Sequence, residues 1–327
     1  MKRALITGIG GQDGSYLAEQ LLARGYQVAG IELPALAENP DGLINIAHIK
    51  DRITLYFGSV SDPKFVSETL AVVKPHECYH LAAASFVSYV FEEESAILNN
   101  NIASVHALLG GIKQMAPECR LFFAGTSEMF GQVESAPQNE MTPYRPRSVY
   151  GISKVAGANL VDYYRSHHGL FACTGILYNH ESVRRGLKFV TRKITATAAA
   201  IKLGYKDKLV LGNLDAERDW GYAPDYTCAM WLMLQQDAPR DLVLASGQKT
   251  TVRDFVSHAF GALDLDYQEY TEVSPEFYRK KELVPLLGDP TVARDLLSWE
   301  SKTSFSELVH EMVHHDLSCL TARGSFY

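Results

Sequence analysis

A short apolar stretch, Ala4 to Thr7, runs into Gly8-Ile9-Gly10-Gly11-Gln12-Asp13-Gly14, and apolar residues at helical spacing follow from Ser15 to Arg24. Glycines at 8, 11 and 14 leave the junction of strand and helix without β-carbons. That pattern confines the start of the chain to a βα unit. Its helix N-terminus turns backbone N–H groups and a positive dipole end toward a pyrophosphate. A glycine turn alone could serve only to reverse the chain; with a strand before it and a helix after it, a dinucleotide site is the stronger reading. A second strand is predicted from Gln27 to Glu32, and an acidic side chain at such a strand end accepts from the adenosine ribose hydroxyls. It would repel a 2′-phosphate, and the next residues, Leu33, Pro34, Ala35 and Leu36, include no arginine. Gly8, Gly11, Gln12, Asp13, Gly14 and Glu32 are therefore candidate cofactor residues. NAD is the expected cofactor and NADP the alternative, to be favoured if Arg3 or a residue of the 37–50 loop folds over to supply a cation.

Strand and helix patterns then alternate. Strands are predicted at Ile53–Phe57, Cys78–Leu81, about 121–126 and Leu170–Tyr178, and helices at Pro63–Val73, Ile97–Met115 and Ser148 to about His168. Residues 33–50 read as irregular. Small residues after Leu81, at Ala82-Ala83-Ala84-Ser85, suit either close approach of a nicotinamide or tight packing, and Leu81 joins the cofactor set. Repeated βα units give an α/β fold with a doubly wound parallel sheet of Rossmann type. The rhythm fades after about residue 180, so a smaller mixed α/β C-terminal substrate lobe is expected. The division is 1–180, with a returning segment at about 222–246, for the dinucleotide domain, and 181–221 with 247–327 for the lobe.

Chemistry concentrates between Gly125 and Lys154. The apolar run Leu121–Ala124 leads a strand to its C-terminal edge, where Thr126 and Glu128 would stand and where open α/β sheets bind ligands. Tyr150 and Lys154 are four apart and share a helix face. An ammonium beside a phenol favours the phenolate and makes the tyrosine a usable base near neutral pH. Each piece alone also fits a plain structural role; acid, hydroxyl, tyrosine and lysine behind a nucleotide loop point to catalysis.

The 327 residues carry a net charge of −7 and no basic run, which excludes the footprint of a nucleic-acid binder. Five scattered cysteines show neither paired spacing nor a Cys-x-x-Cys motif. Free thiols, a cytoplasmic location and no metal site are expected. No signal peptide and no membrane-spanning run are expected either.

The chain resembles the extended short-chain dehydrogenase/reductases, and among them the GDP-mannose 4,6-dehydratase family. The resemblance rests on Thr7-Gly8-Ile9 with Gly11-Gln12-Asp13-Gly14, Thr126-Ser127-Glu128-Met129-Phe130-Gly131, and Tyr150-Gly151 with Ser153-Lys154. Asn179-His180-Glu181-Ser182, Phe189 to Lys193, Arg218-Asp219-Trp220-Gly221 and Leu286 to Pro290 extend it over nearly the whole chain. It implies Tyr150 as base at the sugar C4 hydroxyl, with Lys154 lowering its pKa. Thr126 would bond the same oxygen, and Glu128 would act at C5 and C6. It further implies Ser85 near the hexose, Asn179, Lys193, Arg218, Arg279 and Glu282 around GDP, and Arg185 near a cofactor phosphate. Arg184, Arg185, Lys193, Arg218 and Arg279 could equally form ion pairs with Glu181, Glu217, Asp219 and Glu282. The implied activity is dehydration of a GDP-linked mannose or manno-heptose, with a reductase or epimerase as the alternative, in a homodimer or, less expected, a tetramer. Pro34 and Ala35 stand where relatives carry an arginine pair that holds a 2′-phosphate.

Overall fold

The computed structural model describes residues 1–83, 91–277 and 284–326. Ser85, Arg279 and Glu282, three of the candidate site residues, lie outside them.

Seven parallel strands form the central sheet. They are β1 (Arg3–Thr7), β2 (Gln27–Glu32), β3 (Ile53–Phe57), β4 (Glu77–His80), β5 (Arg120–Thr126) and β6 (Ala172–Leu177), with a short strand at Leu242–Leu244 pairing beside β6. Their spatial order runs from that short strand through β6, β5, β4, β1 and β2 to β3. Most strand residues are buried on both faces, as near-continuous apolar strands of a parallel sheet require. Helices α1 (Gln12–Ala23), α2 (Pro63–Val73), α3 (Phe91–Met115) and α4 (Val149–His168) make the crossovers. α1 packs on one face together with a later helix, Ala223–Met233, while α2, α3 and α4 cover the other. The winding reverses between β1 and β4, so their C-terminal ends open a crevice there, the ligand position of such sheets.

Local chemistry explains the boundaries. Asp62 accepts from the Lys64 N–H at 2.9 Å and Pro63 opens α2, while Ser148 caps α4 through the Gly151 N–H and Gly169, at φ 68°, ends it. α3 starts at Phe91, six residues before the expected Ile97. The 33–50 stretch contains two 3-10 segments, Pro34–Leu36 and Pro40–Arg52, where irregular chain was expected. β5 ends at Thr126, and Glu128 stands on a 3-10 turn, Ser127–Met129, just past the strand.

Beyond β6 the chain builds β7 (Asn179–Glu181), α5 (Val190–Lys202), β8 (Leu209–Leu211), β9 (Glu217–Arg218), β10 (Trp220–Tyr222) and α6 (Ala223–Met233). The strand at Leu242–Leu244 is β11. Then follow β12 (Thr250–Thr251), α7 (Val252–Gly261), α8 (Tyr267–Tyr270), β13 (Thr271–Val273), α9 (Thr291–Leu297) and α10 (Phe305–Arg323). A separate core joins α5, α7 and α10 through Ile194, Trp220, Phe255, Phe260 and Met312. Three buried charged residues brace this part. The Arg192 guanidinium pairs with Asp316 at 2.6 Å and also donates to the carbonyls of Val183 and Arg185. Asp219 accepts from the N–H groups of Ser246, Gly247 and Gly288 and from the Ser246 hydroxyl, which repays part of the cost of burying its charge. The five cysteines are unpaired, and no described helix is long and apolar enough to cross a membrane.

Candidate active site

Two glycines of the loop, Gly8 and Gly14, leave no room for a larger residue. Gly8 has φ 71°, and a β-carbon on Gly14 would lie 2.3 Å from the Gly8 carbonyl oxygen. The N-terminus of α1 therefore faces the crevice through bare backbone. Opposite it, Thr7 Oγ1 accepts from the N–H groups of Leu81 and Ala82 at 3.2 and 3.1 Å. Its hydroxyl proton then goes to His80 Nδ1, 2.8 Å away, so His80 carries its hydrogen on Nε2 and offers it to Ser104 Oγ at 3.1 Å. Burial, with the nearby Lys154 charge, pushes His80 down to about 3, consistent with a neutral ring. This chain of bonds fixes Leu81 and Ala82, just after β4, against the end of β1 that leads into the glycine loop.

Glu32, at the end of β2, is buried and accepts from the Gly10 N–H at 2.6 Å. Burial raises its carboxyl above the usual range, and the N–H bonds from Gly10 and Leu33 oppose that rise. The crevice beside it is lined by Leu33, Leu36, Gly42 and Ser59–Ser61, with no lysine or arginine among them. Arg3 supplies no charge there. Its guanidinium donates to the carbonyls of Val73 and Lys74, at the edge of the sheet where β1 begins.

Thr126 Oγ1 accepts from the Glu128 N–H at 3.3 Å, which turns the chain off β5 and sets the hydroxyl and the carboxylate at the same edge. One helix turn inside α4, Lys154 Nζ donates to the Ala124 carbonyl at 2.7 Å and lies 5.8 Å from the Tyr150 ring centre. Burial pulls Lys154 down to about 7. Its charge is thus marginal at neutral pH, and a bound anion would favour the ammonium.

All the described candidates meet in one crevice of about 1770 Å³: Gly8, Gly11, Gln12, Asp13, Gly14, Glu32, Leu81, Thr126, Glu128, Tyr150, Lys154, Asn179, Arg185, Lys193 and Arg218. That exceeds the roughly 300–1,000 Å³ of a single small-ligand pocket and suits two ligands end to end. The basic residues divide. Arg185 lies 3.1 Å from Glu181 and over the Phe189 ring, the ion pair that the sequence left open. Arg184 instead reaches α1, bonding Glu19 at 2.6 Å and Ser15, so it braces the helix. Lys193 donates to the Val210 carbonyl and Arg218 to the backbone carbonyl of its neighbour Glu217.

Two lining residues were not singled out from sequence. Asn101 of α3 donates to Ser153 Oγ at 3.0 Å, and Ser153 in turn donates to the Tyr150 carbonyl at 2.7 Å. Its signal is the run Asn99-Asn100-Asn101 inside an otherwise amphipathic helix. His180 of β7 lies between the Tyr178 carbonyl and the Asp13 carboxylate. Its signal is its place in Asn179-His180-Glu181-Ser182, just after an apolar strand.

The family model described as GDP-mannose 4,6 dehydratase matches residues 5–312. The chain is 42% identical to GDP-mannose 4,6 dehydratase 1 of Arabidopsis thaliana, over 97% of this chain and 90% of that protein. It is 40% identical to the human GDP-mannose 4,6 dehydratase, over 97% and 92%. Among solved structures, dTDP-glucose 4,6-dehydratase of Bacillus anthracis in complex with NAD shares the fold with a TM-score of 0.86 at 18% identity, covering 100% of both chains. A Pseudomonas aeruginosa structure, RMD complexed with NADPH, shares it with a TM-score of 0.82 at 19% identity, over 97% of this chain and 99% of that one.

Proposed function

The chain belongs to the GDP-mannose 4,6 dehydratase family, and we propose from that premise that it removes water from a GDP-linked mannose or manno-heptose to give the 4-keto-6-deoxy sugar. The observation that carries the reading is the shared edge of β5. Thr126 and Glu128 stand there in the same crevice as Tyr150 and Lys154, behind the glycine loop.

A nicotinamide dinucleotide fits the loop, since the α1 N-terminus presents backbone too crowded for a β-carbon. When bound it supplies the acceptor for the C4 hydride and its donor to C6. The chain's own residues do the rest. Tyr150 takes the C4 hydroxyl proton as the ketone forms, Lys154 holds the phenolate, and Thr126 bonds the same oxygen. The ketone acidifies C5–H. Glu128 removes that proton and delivers one to the departing C6 hydroxyl, and C5 is reprotonated at the end, so the overall reaction is redox-neutral. A reductase or C4 epimerase on this fold needs no acid–base carboxylate at position 128.

The nucleotide sugar would be held by Asn179, Lys193 and Arg218, within a lobe of residues 181–221 and 247–327. Among the described residues beside Glu32 the crevice carries no cation, which supports NAD over NADP. α3 and α4 pack together, and α4 exposes Ile152 and Tyr163. This supports a homodimer with those helices at its interface.

The test is the reaction in D2O. One solvent deuteron should enter the product, at C5, with no net consumption of dinucleotide. Stoichiometric dinucleotide oxidation would mark a reductase, and an isomer that keeps the C6 hydroxyl would mark an epimerase.

A further inference from the structure

His180 makes two hydrogen bonds, one to a backbone carbonyl and one to a carboxylate. Nδ1 lies 2.7 Å from the Tyr178 carbonyl and Nε2 lies 2.9 Å from Asp13 Oδ2. The carbonyl can only accept, so Nδ1 bears a proton; the carboxylate accepts when ionised, and beside an ionised Asp13 Nε2 bears one too, which makes the ring an imidazolium. It is buried at 8% exposure and stacked on Tyr226 of α6, with ring centres 4.7 Å apart. The groups facing it are Asp13 from α1, Tyr226 from α6 and, farther off, Arg185. Asp13 and the Arg185 charge act in opposite directions, and the adjacent carboxylate prevails, holding His180 above the ordinary histidine range although burial works against it. Asp13 is held below the usual carboxylate range by the same pair, against its own desolvation.

The pair sits where charge matters most. Asp13 belongs to the first turn of α1, within the glycine loop. An unneutralised carboxylate there would repel an incoming pyrophosphate. Gln12, its neighbour, donates to the His180 carbonyl at 3.0 Å and accepts from Ser182 Oγ at 2.8 Å. The loop is thereby bound to the middle residue of β7 and to Ser182 just after it, and Asn179 and Glu181 of that strand line the same crevice.

We propose that His180 is a positioning residue which, as a permanent cation, neutralises Asp13 at the pyrophosphate end of the crevice and locks the glycine loop to β7. The inference rests on reading that loop as a dinucleotide site. Dinucleotide binding and sugar-nucleotide binding are then mechanically linked through residues 12–13 and 178–182.

The test is dinucleotide affinity of the purified protein, by fluorescence titration with NAD and NADP. His180→Gln keeps a neutral donor toward Asp13 but strands its charge. It should weaken the preferred dinucleotide about tenfold or more. Adding Asp13→Asn removes the stranded charge while keeping an amide pair, and the double variant should recover to within about threefold of the parent. Unchanged affinity in His180→Gln, or a double variant no better than the single, would overturn the proposal. A parent protein that binds neither dinucleotide would instead defeat the reading beneath it. Should His180→Gln fail to fold, nitrogen NMR of histidine-labelled parent decides the matter. At about pH 7.5, above the ordinary histidine pKa, one buried ring should keep both protons, and a spectrum of neutral rings only would contradict the imidazolium.

Discussion

The Glu32 carboxylate accepts a hydrogen bond from the Gly10 N–H at 2.6 Å, tying the end of β2 to the glycine loop and holding a negative charge where an adenosine ribose would lie. A 2′-phosphate placed there would meet a carboxylate and, among the described residues, no cation. The protein should therefore bind NAD at least ~10-fold more tightly than NADP, a difference of ~1.4 kcal/mol or more. Denaturing the purified protein and identifying the released dinucleotide, then titrating stripped protein with both, checks this. Ala35→Arg, which supplies a cation just past the end of β2, should narrow the preference.

Glu128 is set beside Thr126 by the turn that ends β5. Glu128→Gln should keep the fold and dinucleotide binding while slowing water elimination by ~10²–10⁴-fold, the usual loss for an acid–base group. Single-turnover absorbance should still show reduced nicotinamide forming, and near-normal product formation would contradict the assignment.

Lys154 titrates at about 7 because it is buried. Its unfolded value is near 10.5, so between about 7 and 10.5 the unfolded chain holds this proton and the folded chain does not. Its contribution to stability therefore rises with pH across that window and is lost as pH falls through about 7. An anionic dinucleotide favours the ammonium, so binding near pH 8 should take up a fraction of a proton. Calorimetry in buffers of different ionisation enthalpy measures that uptake, and Lys154→Met should abolish it.

Tyr163 of α4 is 46% exposed and Ile152 47%. Light scattering should give a dimer at micromolar concentration, and Tyr163→Glu with Ile152→Glu should shift it toward monomer without loss of secondary structure by circular dichroism.

Much of this was legible in the sequence wherever local chemistry is decisive. Gln27–Glu32, Ile53–Phe57 and Pro63–Val73 fall where the apolar runs and Pro63 put them. The catalytic candidates were legible because strand edge and helix spacing fix Thr126 and the Tyr150–Lys154 pair without tertiary information. α3 was started late, at Ile97, because Glu92-Glu93-Glu94 carries no apolar period, although acidic residues suit a helix N-terminus. The Asp13–His180 pair joins residues 167 apart in sequence, and no local pattern foretells it. Arg3, a conceivable cation for a 2′-phosphate, is excluded only once β1 is oriented in the sheet.

The most direct measurement is mass spectrometry of purified protein incubated with GDP-mannose and, separately, GDP-manno-heptose, with catalytic dinucleotide. The account predicts that one of these is converted to a product lighter by one water, retaining GDP, with the dinucleotide unchanged in oxidation state at the end. Recovery of both sugars at their starting mass, or a mass change of two hydrogens in place of water, would contradict it.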